Sequence, residues 1–339
     1  MTTLIAMDAM GGDFAPLEVV KGTLIAAGEY ADCLFVLVGD EALLQAELER
    51  QSASVTNVVI RHAPEAIEMG EHPATAIRKK RKSSLVIAGQ MVKSGEAQAT
   101  FSAGNTGAAM AVAMLDIGRV PGIDRPAIAA TLPTQQGQTL MLDAGANVDS
   151  SPQNLVQWAM LGSLYAEKVL GKAAPKVGLL NIGGEAGKGN ELTKAVYPML
   201  QESSLNFVGN VEGKDVFENA ADVVVCDGFA GNILLKTGEG VAEFIVSLLR
   251  KELGDASYSE ETRALFKPLM GSLLKRIDYA EAGGAPLLGI NGVSIIGHGR
   301  SDAKAIAGGL RSARSLAQSG YVEAIRQALP TFAGHGSHE

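Results

Sequence analysis

Short apolar runs, each broken by Gly, Asp or Asn, alternate along the chain with stretches of helical periodicity. The runs predict strands over 4–7, 34–38, 55–60, 100–101, 128–131, 139–142, 177–181, 206–208, 223–226 and 294–296. Most are too short for helices and too uniformly apolar for a strand with one wetted face, which is the pattern of central strands in a parallel sheet. Helical periodicity covers 16–28, 41–50, 73–94, 105–117, 152–170, 190–203, 231–253, 259–277 and 301–319. Ser150, Ser151 and Pro152 form a helix entry, with a capping hydroxyl followed by proline at the first turn. Between 128 and 142 the pattern changes, and Gln135-Gln136-Gly137 predicts a hairpin. The alternation as a whole predicts a doubly wound, Rossmann-like α/β/α sandwich with a mixed sheet. No Pro- or Ser-rich linker divides the chain, so residues 1–330 are expected to form one α/β domain, with 331–339 as a loose tail.

Composition narrows the chemistry. The 339 residues carry 29 Lys and Arg against 37 Asp and Glu, a net charge of −8, and 47% of them are hydrophobic. A chain of this kind buries a core, and its acidic balance gives no field that would recruit nucleic acid. The two cysteines, Cys33 and Cys226, exclude a disulfide scaffold and fit a reduced compartment. No basic, cleavable leader precedes the first strand. The uncharged stretch 97–115 has a membrane-spanning length, but its Gln98, Ser102, Asn105 and Thr106 mark it as strand, loop and helix. A cytoplasmic protein is expected.

Forty glycines are a surplus. Many fall in loops that follow a strand and open a helix: Asp8-Ala-Met-Gly-Gly-Asp13, Ser102-Ala-Gly-Asn-Thr-Gly107, Asp143-Ala-Gly-Ala-Asn-Val-Asp149, Gly183-Gly-Glu-Ala-Gly-Lys-Gly-Asn190 and Asp227-Gly-Phe-Ala-Gly-Asn232. Ligands of open α/β sheets bind beyond the carboxyl ends of strands, where helix N-termini favour anions. The five loops are therefore expected to share one anionic site. Lys188, flanked by glycines at the mouth of a helix capped by Asn190, reads as a phosphate or oxyanion ligand. A solvated lysine pairing with Glu185 or Glu191 is the plainer alternative. Asp8 and Asp13 are expected to organise their loop, since a carboxylate repels phosphate.

Other chemistries lack their motifs. No glycines fall in the dinucleotide spacing, and the loop at 183–190 misses the nucleotide-phosphate spacing by one residue, with Gly189 where a magnesium-binding hydroxyl would stand. No metal-ligand spacing occurs among the five histidines, and no Gly-x-Ser-x-Gly elbow is present. Cys226, at the end of a valine run, reads as a buried, inert thiol. His298, within Gly297-His298-Gly299-Arg300-Ser301, reads equally as a turn residue or a site residue.

Eight ordered motifs, from Asp8-Ala-Met-Gly-Gly-Asp13 through Ser102–Gly107, Arg125-Pro-Ala-Ile-Ala, Leu142-Asp-Ala-Gly-Ala-Asn147, Gly187-Lys-Gly-Asn-Glu-Leu192, Asn210-Val-Glu-Gly213 and Asp227–Asn232 to Gly283-Gly-Ala-Pro-Leu-Leu-Gly289, resemble the bacterial phosphate acyltransferase family PlsX. The likeness extends to about residue 328. It implies a fold related to the isocitrate dehydrogenase and phosphotransacetylase group. It also implies attack of inorganic phosphate on the thioester of a long-chain acyl-[acyl carrier protein]. The product, acyl-phosphate, would feed membrane phospholipid synthesis through a downstream membrane glycerol-3-phosphate acyltransferase. The resemblance further implies a homodimer at the cytoplasmic membrane face, working without a metal or other cofactor. It makes Lys188 and Asn232 the catalytic candidates, Lys188 for phosphate or oxyanion and Asn232 for the carbonyl oxygen. Gly11, Gly12, Ser102, Asn105, Thr106, Gly187, Gly189, Asn190 and His298 become candidate phosphate or substrate contacts. A coenzyme A-dependent phosphotransacetylase and a non-catalytic membrane scaffold are the alternatives.

Two surface features bear on partners. Arg78-Lys-Lys-Arg-Lys82 is the densest basic run, and it offers an acidic carrier protein a local patch. A solvated helix end would read the same way. The helices at 241–253 and 259–277 form a protruding hairpin. In the second of them Leu265, Leu269 and Leu273 line up beside Phe266 and Met270, with Arg263, Lys267, Lys275 and Arg276 elsewhere. A basic amphipathic helix in an acidic protein predicts peripheral attachment to an anionic membrane, whereas a dimer helix would share the apolar stripe.

Overall fold

The computed structural model describes residues 2–52, 55–254, 259–277 and 283–333. Eleven strands form one sheet. They are β1 (Thr3–Asp8), β2 (Cys33–Gly39), β3 (Val58–His62), β4 (Ala99–Ser102), β5 (Ala127–Thr134), β6 (Gly137–Leu142), β7 (Val177–Asn181), β8 (Phe207–Glu212), β9 (Val223–Val225), β10 (Ala285–Leu288) and β11 (Val293–Ile296). Their order across the sheet is β3-β2-β1-β4-β11-β10-β5-β6-β9-β7-β8. Alternate residues of one strand enter different cores. Ile5 and Met7 pack in one and Ala6 in the other; Val223 and Val225 in the first and Val224 in the second. Both faces are therefore buried under helices, which is why these strands read as unbroken apolar runs.

The helices are α1 (Leu17–Glu29), α2 (Glu41–Arg50), α3 (Pro73–Lys79), α4 (Ser84–Lys93), α5 (Thr106–Val112, extended by a π turn to Ile117), α6 (Pro152–Lys168), α7 (Glu191–Glu202), α8 (Gly213–Val216), α9 (Gly228–Gly254), α10 (Glu260–Ile277), α11 (Ala303–Gln318) and α12 (Tyr321–Ala333). At the start of α6 the Ser151 hydroxyl accepts from the Asn154 N–H and the Asn154 side chain accepts from the Ser151 N–H, with Pro152 at the first turn. That box is the helix entry expected from the sequence. β5 and β6 pair from Ala129↔Leu142 to Thr134↔Gly137, which is the expected hairpin.

Several elements differ from expectation, among them the short α8 and the later start of β3. The helix predicted over 73–94 is two, because the chain breaks at Lys80, whose ammonium donates to the Ala66 carbonyl, and restarts after Ser83. β10 was not predicted; Pro286 and the flanking glycines mask a strand that lies in the middle of the sheet, antiparallel to both β11 and β5. α12 was not predicted either. Gly320 ends α11, and α12 then docks through buried Tyr321, whose hydroxyl donates to the Leu161 carbonyl at 3.0 Å. α9 begins at Gly228 rather than 231, since the Asp227 carboxylate caps it by accepting from the Ala230 N–H at 2.8 Å.

Candidate active site

Strand direction sorts the glycine-rich loops into two groups. β1, β4 and β11 are mutually parallel, as are β6, β9, β7 and β8. Between the two sets lie three antiparallel pairings, β11–β10, β10–β5 and β5–β6. Three reversals make the sets run in opposite directions. The five loops thus do not form one row, which corrects the expectation of a single shared site. A glycine-rich turn marks where a strand ends and says nothing of which way it points.

In the first group Asp8 is almost fully buried. It accepts from the Ser84 hydroxyl at 2.5 Å and the Ser102 hydroxyl at 2.7 Å, and burial pushes its carboxyl above the ordinary range against those two donors. Gly11 lies against the same carboxylate. Asp8 therefore organises its loop, as expected. Ser102 also accepts from the Gly104 N–H at 3.1 Å. Asn105 uses its whole amide, accepting from the Ala108 N–H at 3.0 Å and donating to the carbonyls of Met69 and Glu71 at 2.9 Å. These two side chains are taken up by scaffolding, while Thr106 stays exposed. The Asp13 N–H donates to the Gly299 carbonyl at 2.8 Å, joining loops 8–13 and 297–301, with Gly12 against Ala103 and Gly299. His298 is exposed, and its Nδ1 accepts from the Arg300 N–H at 3.2 Å, a turn-forming contact.

The second group holds Lys188 and Asn232. The loop 182–190 leaves β7, and α9 starts just beyond the neighbouring parallel strand β9. The loop is fastened by two amides: Asn181 donates to the Lys188 carbonyl at 3.1 Å and Asn210 to the Glu185 carbonyl at 2.8 Å. Gly189 adopts φ +103, and any Cβ there would strike Asn181 and Thr193. Asn190 caps α7 by accepting from the Thr193 N–H at 2.9 Å. Lys188 and Gly187 are exposed, and the lysine stem crosses Gly183. Asn232, exposed in the first turns of α9, lies against Gly145 in the loop after β6. The same loops and the start of α9 expose four large apolar side chains: Val148, Ile182, Phe229 and Ile233. The Cys226 thiol is buried and pushed well above its ordinary pKa by desolvation, as an inert thiol should be.

A family model described as "Fatty acid synthesis protein" matches residues 3–324. A phosphate acyltransferase of Pelotomaculum thermopropionicum is 50% identical over 334 residues, covering 98% of this chain and 97% of that protein. One from Desulforamulus reducens is 52% identical over 330 residues, covering 97% and 98%. This chain belongs to the phosphate acyltransferase family. The acyltransferase also shares its fold with EutD phosphotransacetylase from Staphylococcus aureus, at TM-score 0.61 and 13% identity over 93% of this chain and 94% of that one. A branched-chain phosphotransacylase from Enterococcus faecalis gives TM-score 0.57 and 13% identity, over 94% and 100%. At such identity the likeness speaks for the fold.

Three residues that position this acyltransferase's loops carry no role in the motif reading: Asp143, Asn181 and Asn210. Each is a polar residue in or just after a strand, on the edge where the second group gathers. That placement was a usable signal, because a polar residue where an apolar strand ends is placed to bond the loop that follows.

Proposed function

We propose that this acyltransferase makes long-chain acyl-phosphate from acyl-[acyl carrier protein] and inorganic phosphate. A phosphate oxygen attacks the thioester carbonyl carbon, giving a tetrahedral oxyanion. Its collapse breaks the C–S bond, and the carrier thiolate leaves and takes up a proton. Phosphate is already substantially dianionic near neutral pH, so no strong base is needed. The protein's task is to hold the dianion beside the carbonyl and to stabilise the oxyanion. Lys188 meets the phosphate or the oxyanion, and Asn232 donates its amide to the carbonyl oxygen. Gly187 and Gly189, in the Lys188 loop, are the further candidate contacts, whereas Gly11, Gly12, Thr106 and His298 lie with the first loop group on the opposite sheet edge. The observation that carries the reading is an ammonium and an amide beyond adjoining, parallel strands, on loops and a helix start that also expose the apolar Val148, Ile182, Phe229 and Ile233.

The same reading places the enzyme at the inner face of the cell membrane as a homodimer, handing acyl-phosphate to a membrane acyltransferase that acylates glycerol 3-phosphate. Among the described residues no helix is long and apolar enough to cross a membrane. Leu265 and Leu269 of α10 stand 73% and 65% exposed, which supports peripheral contact. The side chain of Leu273 and those of the four basic residues of α10 lie outside the described residues. The deciding assay is release of carrier thiol from palmitoyl-carrier protein. Release that requires phosphate supports the reading; release from acetyl-coenzyme A alone, or none at all, overturns it.

A further inference from the structure

The geometry points to Asp143 as a positioning residue for Asn232, an inference that rests on the oxyanion role proposed above. Asp143 has no exposed surface. Its carboxylate accepts from the backbone N–H groups of Ile128 at 3.0 Å, Gly145 at 3.2 Å, Ala146 at 3.0 Å and Asn147 at 2.6 Å, and from the Asn147 amide at 2.9 Å. Five donors on one carboxylate wind residues 143–147 into a fixed loop anchored to β5. Hydrogen bonds to a charged acceptor are the strong ones, and a buried network of this kind rigidifies what it holds.

That loop is the seat of α9. The Gly228 N–H donates to the Asn147 carbonyl at 2.9 Å. Gly231 lies so close to the Asp143 carbonyl that no side chain fits between them. Asn232 then rests on Gly145, where an added Cβ would stand 3.4 Å from its Cβ, Cγ and Oδ1. Asp143 shapes the loop, the loop sets the first turn of α9, and the first turn aims the Asn232 amide. The carboxylate itself touches neither Asn232 nor the candidate substrate space.

The test is a double-mutant comparison on the full-length enzyme, with phosphate-dependent release of carrier thiol as the assay. Asp143→Asn replaces one of the two accepting oxygens with an NH2 donor that faces N–H groups. It should lower kcat by about 10²-fold, the cost of a misaimed group, and leave the KM for phosphate unchanged. In an Asn232→Ala background the same change should cost less than about twofold, because nothing is left to aim. Asn147→Ala removes one of the five donors and keeps the carboxylate. It should lower kcat by about tenfold in wild type and again have no effect without Asn232, so the test survives should Asp143→Asn not fold. Losses that multiply in the double variants would overturn the inference alone, since a general loosening of the fold multiplies. Unchanged kcat in Asn232→Ala by itself would overturn the role of Asn232 and this inference with it.

Discussion

Arg81 holds Asp116 through both terminal guanidinium nitrogens, at 3.2 and 2.8 Å, tying the link between α3 and α4 to the π turn that ends α5. Lys80, next to it, is paired with Glu71. The basic run at 78–82 is therefore only partly available to a partner. Arg78, Lys79 and Lys82 are its exposed members outside these pairs. If an acidic carrier protein docks there, Arg78→Glu, Lys79→Glu and Lys82→Glu together should slow association and flatten its salt dependence, with kcat preserved. An unchanged KM for the carrier substrate at low salt rejects this surface.

The proposed catalytic pair, Lys188 and Asn232, makes a sharper prediction. Asn232→Ala should reduce turnover by roughly 10²–10³, the cost of one oxyanion donor. Lys188→Ala should lose at least as much and also raise the phosphate concentration needed for saturation. Steady-state rates on folded variants decide it, and near wild-type turnover in both would dismiss the pair.

Attachment to anionic vesicles should depend on the exposed face of α10. Leu269→Glu should release the enzyme from sedimenting vesicles and leave activity on soluble acyl-carrier protein largely intact. Rising salt should release the wild type too, since each basic residue near an anionic leaflet contributes about 1 kcal/mol and the attraction decays over about 8 Å. A variant that still sediments like wild type assigns the stripe to contact between subunits.

Asp32 gives a stability prediction with a defined sign. Arg314 donates to its carboxylate at 3.0 and 2.6 Å, and Gln318 at 3.0 Å, holding its pKa down to about 2. The unfolded value is about 3.9. A depressed folded value stabilises fully above the unfolded pKa, and the contribution fades as pH falls towards 2. Asp32→Asn should thus unfold at lower urea than wild type at pH 6, and the gap should narrow from about pH 4 downwards. A gap that ignores pH would mean the ion pair is not its source.

Much of the sheet was legible because strands buried on both faces must be apolar throughout, as Val223–Val225 is. Lys188 and Asn232 were legible as residues of strand-end loops. Strand direction was not, since it depends on the antiparallel insertion of β10, whose Pro286 argues locally against a strand. Asp143 stood in plain view within a motif, but four of its five donors come from a loop conformation that no periodicity encodes. Lys80 and Arg81 looked like free charge because their partners, Glu71 and Asp116, lie 9 and 35 positions away along the chain.

α9 carries Asn232 near one end and meets α10 towards the other. At about 1.5 Å per residue, the stretch from Asn232 to Gly254 spans roughly 33 Å. On the function proposed above, the helix is a ruler: whatever surface the far end rests on, the thioester would be met at a set height above it. Inserting two helical turns into the middle of α9 would raise that height by about 11 Å while nearly keeping the facing of the hairpin. Reaction on soluble substrate would be indifferent to that change, and delivery of product into a bilayer would not.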